Sequence, residues 1–229
     1  TWVDGNDIEW QQEKNMYLSS DDIKKNEVRY REWGLLKYWF RGIEKFMPWI
    51  NKIHFVTWGH VPGWLNTNHP KINVVHHEDF IPQKFLPTFN SRVIELNFHR
   101  IENLSERFIY FNDDMFVLRK MKSENFFQND LPMDSFLMDL CSPTNDTFNH
   151  TLFNNTVIIN KYFNKRKFIK KNLLKYFNLK YKKNNLKNLL LLPWNKYTGF
   201  QNPHLPIPYL KSNFNKIWKL EFDLLEETC

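Results

Sequence analysis

Apolar residues along this chain follow two periods, one suited to helices and one to strands, and the places where the period changes outline a fold. Leu35, Leu36, Trp39, Phe40, Ile43, Phe46 and Met47 recur at three- and four-residue spacing, which predicts an amphipathic helix that Pro48 halts. Ile53 to Thr57 and Lys71 to His76 are short apolar runs bounded by turn residues, and both predict strands. SRVIELNFHRI, residues 91–101, returns to helical spacing with Asn90 or Ser91 as its cap. Phe108 to Phe111 predicts a buried strand, whose character Met115 to Leu118 resume, and Thr156 to Asn160 predicts a further strand. Residues 161–192 are helical in pattern, basic and aromatic. Pro193, Pro203, Pro206 and Pro208 then mark an irregular loop, and residues 213–227 form a last amphipathic helix. Helix and strand taking turns in this way predict an α/β fold. We expect a Rossmann-like mixed sheet flanked by helices, with active groups at the strands' carboxyl ends and a basic helical subdomain at its periphery.

The composition supports a sizeable core, with 42% hydrophobic and 17% aromatic residues in 229. The longest apolar runs fall short of the eighteen or so residues that cross a bilayer, and no basic and apolar leader opens the sequence. Two cysteines, Cys141 and Cys229, are too few for a disulfide framework, so a reducing cytoplasm is the expected setting. The net charge of +7 is concentrated in the second half, notably at 161–187, and favours anionic partners. No nucleic-acid motif accompanies it. A membrane surface and an anionic glycan fit equally well, as does a solvated helix face with no partner.

Candidate chemistry starts at RFIYFNDDMFVLRK, where Asn112, Asp113 and Asp114 interrupt the apolar strand pattern. Adjacent carboxylates on a buried strand carry a desolvation penalty unless a cation neutralises them. Oxygen pairs of this kind suit Mg²⁺ or Mn²⁺ held jointly with a diphosphate, although Asn and Asp are also ordinary turn formers. The opening Asp4-Gly5-Asn6-Asp7 has the form of a strand running into a tight turn, which can offer backbone N–H groups and a carboxylate to a nucleotide. Arg29, Arg31 and Arg41 could grip a diphosphate. His76, His77, Glu78 and Asp79 make a poor metal cluster, because successive side chains on extended chain face opposite ways. Glu95 and His99 would share one helix face, next to Arg100. His204 stands in the proline-stiffened loop, where a rigid backbone can position a catalytic group.

TWVDGND, the block RYREWGLLKYWFRGIEKFMPWINKIHFVTWGHVPGWLN, LPTFNS, FHRI, LSERFIYFNDD and HLPIPYLKS together resemble the Stealth family of sugar-phosphate transferases, in order and spacing across nearly the whole chain. The resemblance implies a single catalytic domain over 1–229, with the basic segment 161–192 inserted in it. Its first conserved region would lie at Thr1 to Asp7, its second at about 29–118 and its third at about 204–212. The fourth would begin beyond Cys229, which implies a fragment of a longer catalytic chain. The implied reaction moves a sugar 1-phosphate, with N-acetylhexosamine expected, from a UDP-sugar to a hydroxyl of an oligosaccharide or polysaccharide, and releases UMP. The implied setting is capsular or surface polysaccharide synthesis, at the inner face of the plasma membrane. By the same analogy Asp4, Gly5 and Asp7 hold the nucleotide, and Asp113 and Asp114 hold the metal. Arg29, Arg31 and Arg41 neutralise phosphate, His204 is general base, and Lys211 steadies the anion. Asn90, Ser91, His99, Arg100 and Asn112 are expected substrate contacts. Arg31-Glu32-Trp33 departs from the Arg-Asp-Asn of many members, which points to a different donor. A metal-dependent glycosyltransferase releasing UDP, and a glycan- or membrane-binding module without catalysis, are the competing readings.

Overall fold

The computed structural model of the chain describes residues 1–17, 30, 33–142 and 147–229. These residues divide into two compact units, one built from Thr1–Met133 and Leu205–Cys229 and the other from Asp134–His204. Arg29 and Arg31 lie outside the described residues.

The first unit begins with an extended segment and a turn that leads into α1 (Ile8–Asn15), where the Asp7 side chain accepts from the Trp10 N–H and caps the helix. Helix α2 (Leu36–Phe46) follows, and it ends at Met47 because the residue before a proline avoids the helical region. Strands β1 (Ile53–Thr57) and β2 (Ile72–His76) pair in parallel, with Phe55 opposite Val74 and Val56 opposite Val75. Charged HEDF, expected only to end the strand, forms the single turn α3 (His77–Phe80), with Asp79 accepting from the His76 N–H. The expected helix over 91–101 is α4 (Ser91–Leu96) capped by Asn90, then a tighter 3₁₀ turn at Phe98–Arg100. Strand β3 (Arg107–Tyr110) is half-buried rather than buried, and Met115 to Leu118 do not resume as a strand. Short β4 (Phe127–Gln128) and β5 (Leu131–Pro132) make a small hairpin.

In the second unit the run Thr156 to Asn160 corrects our strand expectation, since it lies inside α5 (Thr147–Tyr162). Four residues of β-branched character cannot outweigh a helix that continues on both sides. The helix also satisfies Thr156, whose hydroxyl donates to the Leu152 carbonyl at 2.8 Å. Helices α6 (Lys165–Lys171), α7 (Leu173–Tyr176) and α8 (Asn185–Leu191), with a 3₁₀ segment at Leu179–Asn184, complete the basic stretch. They pack around Met138, Ile169, Tyr176, Leu191 and Tyr197.

Back in the first unit, part of the expected proline-rich loop is strand β6 (Ile207–Leu210), antiparallel to β3 with Pro208 opposite Ile109. Pro208 donates no hydrogen bond, as suits a strand paired on one side only. Our single terminal helix is two, α9 (Lys211–Leu220) and α10 (Phe222–Thr228), because Glu221 leaves helical geometry. The main core gathers Val56, Val75, Ile94, Phe98, Tyr110 and Trp218 from these elements. Among the described residues the strands form three two-stranded sheets rather than one mixed sheet. A cavity of about 700 Å³ lies between β1 and β3, walled by Ile53, Phe55, Phe108 and Ile109, with Thr1 and Trp2 also on its wall. No helix among the described residues is long and apolar enough to cross a membrane.

Candidate functional site

The extended residues Thr1 to Val3 tie the carboxyl ends of β1 and β3 together. The Trp2 N–H donates to the Val56 carbonyl at 3.0 Å, and the Thr1 nitrogen donates to the Phe111 carbonyl at 3.0 Å. Two acidic turns grow from this stitch. One is Asp4 to Asp7 at the end of the extended segment, and the other is Asn112 to Asp114 after β3.

The first turn is held at nearly every residue. Asp7 N–H donates to the Asp4 carbonyl at 3.1 Å, Asn6 N–H to Asp4 Oδ1 at 2.9 Å, and Gln11 Nε2 to the Gly5 carbonyl at 2.6 Å. Glycine is required at position 5, since a Cβ there would fall 1.7 Å from the Tyr30 carbonyl oxygen. Tyr30 is fixed in turn by its hydroxyl, which donates to the Phe89 carbonyl at 3.2 Å, and by an edge contact with Trp10.

His60, in the loop after β1, completes the arrangement. Its Nε2 accepts from the Asp4 N–H at 2.7 Å, so the ring proton sits on Nδ1 and faces Asp7 Oδ2 at 3.5 Å. Burial lowers the ring's pKa, against the opposing pull of Asp7 and Asp4, and keeps it in this accepting state. Trp2 packs edge-on against the same ring, with centroids 5.1 Å apart.

The second turn corrects the burial argument made from sequence. Asp113 and Asp114 are exposed, and the turn follows the strand instead of interrupting it. The turn reading is therefore right for the backbone, and it leaves the carboxylates accessible to a ligand. Asn112 accepts from the Tyr110 hydroxyl, which fixes the start of the turn. Burial, with Glu95 adding, pushes the Tyr110 phenol well above its ordinary pKa, so it remains a donor. No group of three or more His, Cys, Asp and Glu among the described residues could hold a metal by itself. Two exposed neighbouring carboxylates do fit Mg²⁺ as donors, since that ion is commonly held by one or two carboxylates, water and substrate phosphate.

Other expected residues go elsewhere. Burial pushes His99 down to about 4, with Arg100 adding, and the ring stacks on Phe214 and packs against Trp218 as part of the core. Its intended partner Glu95 instead accepts from the Tyr209 hydroxyl at 2.7 Å. Arg100 donates to Asn97 Oδ1 at 2.9 Å and lies over the Trp218 ring. Arg41 is exposed over the Tyr38 ring of its own helix. Lys211 bonds through its backbone to the Glu106 carbonyl, at the end of β3 opposite Asp113. Asn90 uses its side chain to cap α4, and Ser91 is exposed beside it. His204 is exposed and falls in the other unit. His76 ends β2 and His77 opens α3. Burial, with His60 and His76 adding, holds His77 down to about 4.

Sequence reasoning missed His60 and Tyr30. Each acts on a residue far away along the chain, His60 on Asp4 at a separation of 56, so no local pattern announces them.

A family model described as Stealth protein CR2, conserved region 2, matches residues 29–134. The chain is 47% identical over 231 residues to a capsular polysaccharide phosphotransferase WcwK of Streptococcus pneumoniae, a match covering 100% of this chain and 69% of that protein. It is 42% identical over 228 residues to the exopolysaccharide phosphotransferase cps2G of Lactiplantibacillus plantarum, covering 99% and 67%. It is 38% identical over 232 residues to the receptor polysaccharide phosphotransferase WefC of Streptococcus gordonii, covering 99% and 69%.

Proposed function

This chain belongs to the Stealth family, and on that footing we propose that it transfers a sugar 1-phosphate from a nucleotide diphosphate sugar to a hydroxyl of a growing capsular or surface polysaccharide. It is a phosphotransferase, in keeping with relatives that carry that name. The acceptor oxygen attacks the phosphorus next to the sugar. The bond from that phosphorus to the bridging oxygen breaks, and a phosphodiester and a nucleoside monophosphate result. The anomeric bond stays intact, so the work is alignment and the stabilisation of charge on phosphate oxygens. UDP-N-acetylhexosamine is the donor we assign, and UMP the released product. The cytoplasm is where such a donor would be met.

The observation that carries this reading is the pair of acidic turns stitched to one edge by Thr1 to Val3. The Asp4 to Asp7 turn takes the nucleotide end of the donor, and Asp113 and Asp114 hold Mg²⁺, or Mn²⁺, at the diphosphate. That ion would draw negative charge from the leaving phosphate. Asn112 orients the turn, and Asn90 and Ser91 are assigned as substrate contacts. Arg29 and Arg31 are assigned to phosphate, and His204 to the acceptor proton. His99, Arg100, Arg41 and Lys211 are not retained as contacts: His99 and Arg100 pack on Trp218, Arg41 lies over the Tyr38 ring of its own helix, and Lys211 stands at the opposite end of β3 from Asp113.

Incubating the protein with Mg²⁺, labelled UDP-N-acetylhexosamine and a polysaccharide acceptor should release UMP. Asp113→Asn and Asp114→Asn should each lower that rate by about a hundredfold or more while leaving the melting temperature within a few degrees. Release of UDP would move the protein to the glycosyltransferases, and unchanged turnover in Asp114→Asn would remove the metal from this turn.

A further inference from the structure

Helix α8 has its polarity reversed relative to an ordinary surface helix. Asn188, fully buried, points inward with Leu191, while Leu186, Leu189 and Leu190 are 59%, 55% and 63% exposed. Spacing of three and four places those leucines in one stripe, on the side of the helix opposite Asn188. The inward amide is in use: Asn188 accepts from the Met138 N–H at 2.8 Å and donates to the Tyr176 and Phe136 carbonyls at 2.6 and 3.2 Å. The helix therefore cannot roll to hide its leucines without breaking three hydrogen bonds, two of them buried. Leu179, at 92% exposed, begins the 3₁₀ segment packed against α8, and Lys180, Lys182 and Lys183 of that segment are exposed as well.

We propose that this face is a docking surface for an anionic lipid bilayer, on which the leucines enter the headgroup boundary and the lysines meet lipid phosphates. Charge complementarity selects the occupant. Residues 134–204 carry twelve of the chain's 32 Lys and Arg but only three of its 25 Asp and Glu. A soluble glycan offers nothing to three leucines, and a neutral apolar partner offers nothing to the lysines. A lipid interface of negative charge takes both, and binding of this kind grows with buried apolar area and with the number of basic residues near the surface. The proposal does not depend on the transfer reaction, and its test does not read activity.

The test is flotation of the 229-residue protein with vesicles of phosphatidylcholine alone and of phosphatidylcholine mixed with phosphatidylglycerol. The protein should float with the mixed vesicles and not with the neutral ones. Leu186→Gln/Leu189→Gln/Leu190→Gln should weaken that binding about tenfold, and Lys180→Gln/Lys182→Gln/Lys183→Gln about a hundredfold. Both variants alter exposed side chains only, so their melting temperatures should match the parent and certify folding. Equal binding of the leucine variant and the parent, or no capture of the parent by the mixed vesicles, overturns the proposal. So does a parent dimer on gel filtration that the leucine variant converts to monomer without any vesicle binding, which would make the face a self-association surface.

Discussion

In the unit of Thr1–Met133 and Leu205–Cys229 the interior is chiefly aliphatic and aromatic, with Thr57 and Asn97 fully buried in it, and the carboxylates of Asp113 and Asp114 stand out on a turn. In Asp134–His204 the interior holds Asn188 and Lys165, while leucines stand outside. The Lys165 ammonium, 1% exposed, donates to the Leu191 and Trp194 carbonyls at 2.5 and 3.0 Å and so closes the end of α8. Tyr176 and Tyr197 share a buried hydroxyl hydrogen bond of 2.8 Å beside it. Buried polar groups in the second unit are therefore spent on fastening its own short helices. The strand unit uses buried polar groups in the same way, the Asn97 amide donating to the Val93 carbonyl at 2.9 Å and the Thr57 hydroxyl to the His60 carbonyl at 2.8 Å. Buried polar groups thus act as scaffold in both units, and the contrast lies in what each leaves outside: carboxylates on a turn in one, leucines on a helix in the other.

The comparison can be broken most forcefully at Gly5. Gly5→Ala drives a Cβ into the Tyr30 carbonyl and should cost about 3 kcal/mol or more, seen as a lower melting temperature together with lost donor binding. In the other unit, Asn188→Ala strands two buried backbone groups and one partly buried one and should cost about 2–4 kcal/mol. Proteolysis of the variant should open cuts within 134–204 while donor binding by the strand unit persists; loss of both together would deny the units their separate stability.

A third effect is one of pH. His77 and His99, both in the strand unit, are held down to about 4 from an ordinary 6.5, chiefly by burial. The folded chain therefore refuses protons that the unfolded chain accepts below 6.5. Stability from these two rings is complete above pH 6.5 and is lost as pH falls toward 4. Thermal melts should show a fall of about 5 °C or more across that window, shallower in His99→Phe. The smallest effect is expected at His60. His60→Ala should raise the KM for donor about tenfold with kcat changed less, and His60→Gln, which can still accept from the Asp4 N–H, should recover most of it.

Much of the strand unit was legible in the sequence because its signals are local. The period of α2, the β-branched runs of β1 and β2 and the Asn90 cap all came through. Thr156 to Asn160 misled because a short β-branched run looks the same in a strand and inside a long helix. Strand β6 was hidden by prolines that a strand paired on one side tolerates. At the site, the two acidic turns were visible as residue types. Their burial was misjudged, since the strand ends one residue earlier than the apolar pattern does. His99 was singled out by its helical spacing from Glu95 and Lys211 by the family resemblance, and only three-dimensional packing could reveal that one is core and the other stands beside the start of β3.

The short extended run from Thr1 to Val3 acts as a yoke between two jaws. Because it is fastened to Val56 on one flank and to Phe111 on the other, it sets the two turns side by side, as the arms of a caliper stand. On the proposed reaction, a saccharide bearing a single phosphate would reach one arm and a full diphosphate donor both, so discrimination between them would follow from the spacing of the arms instead of from any one contact.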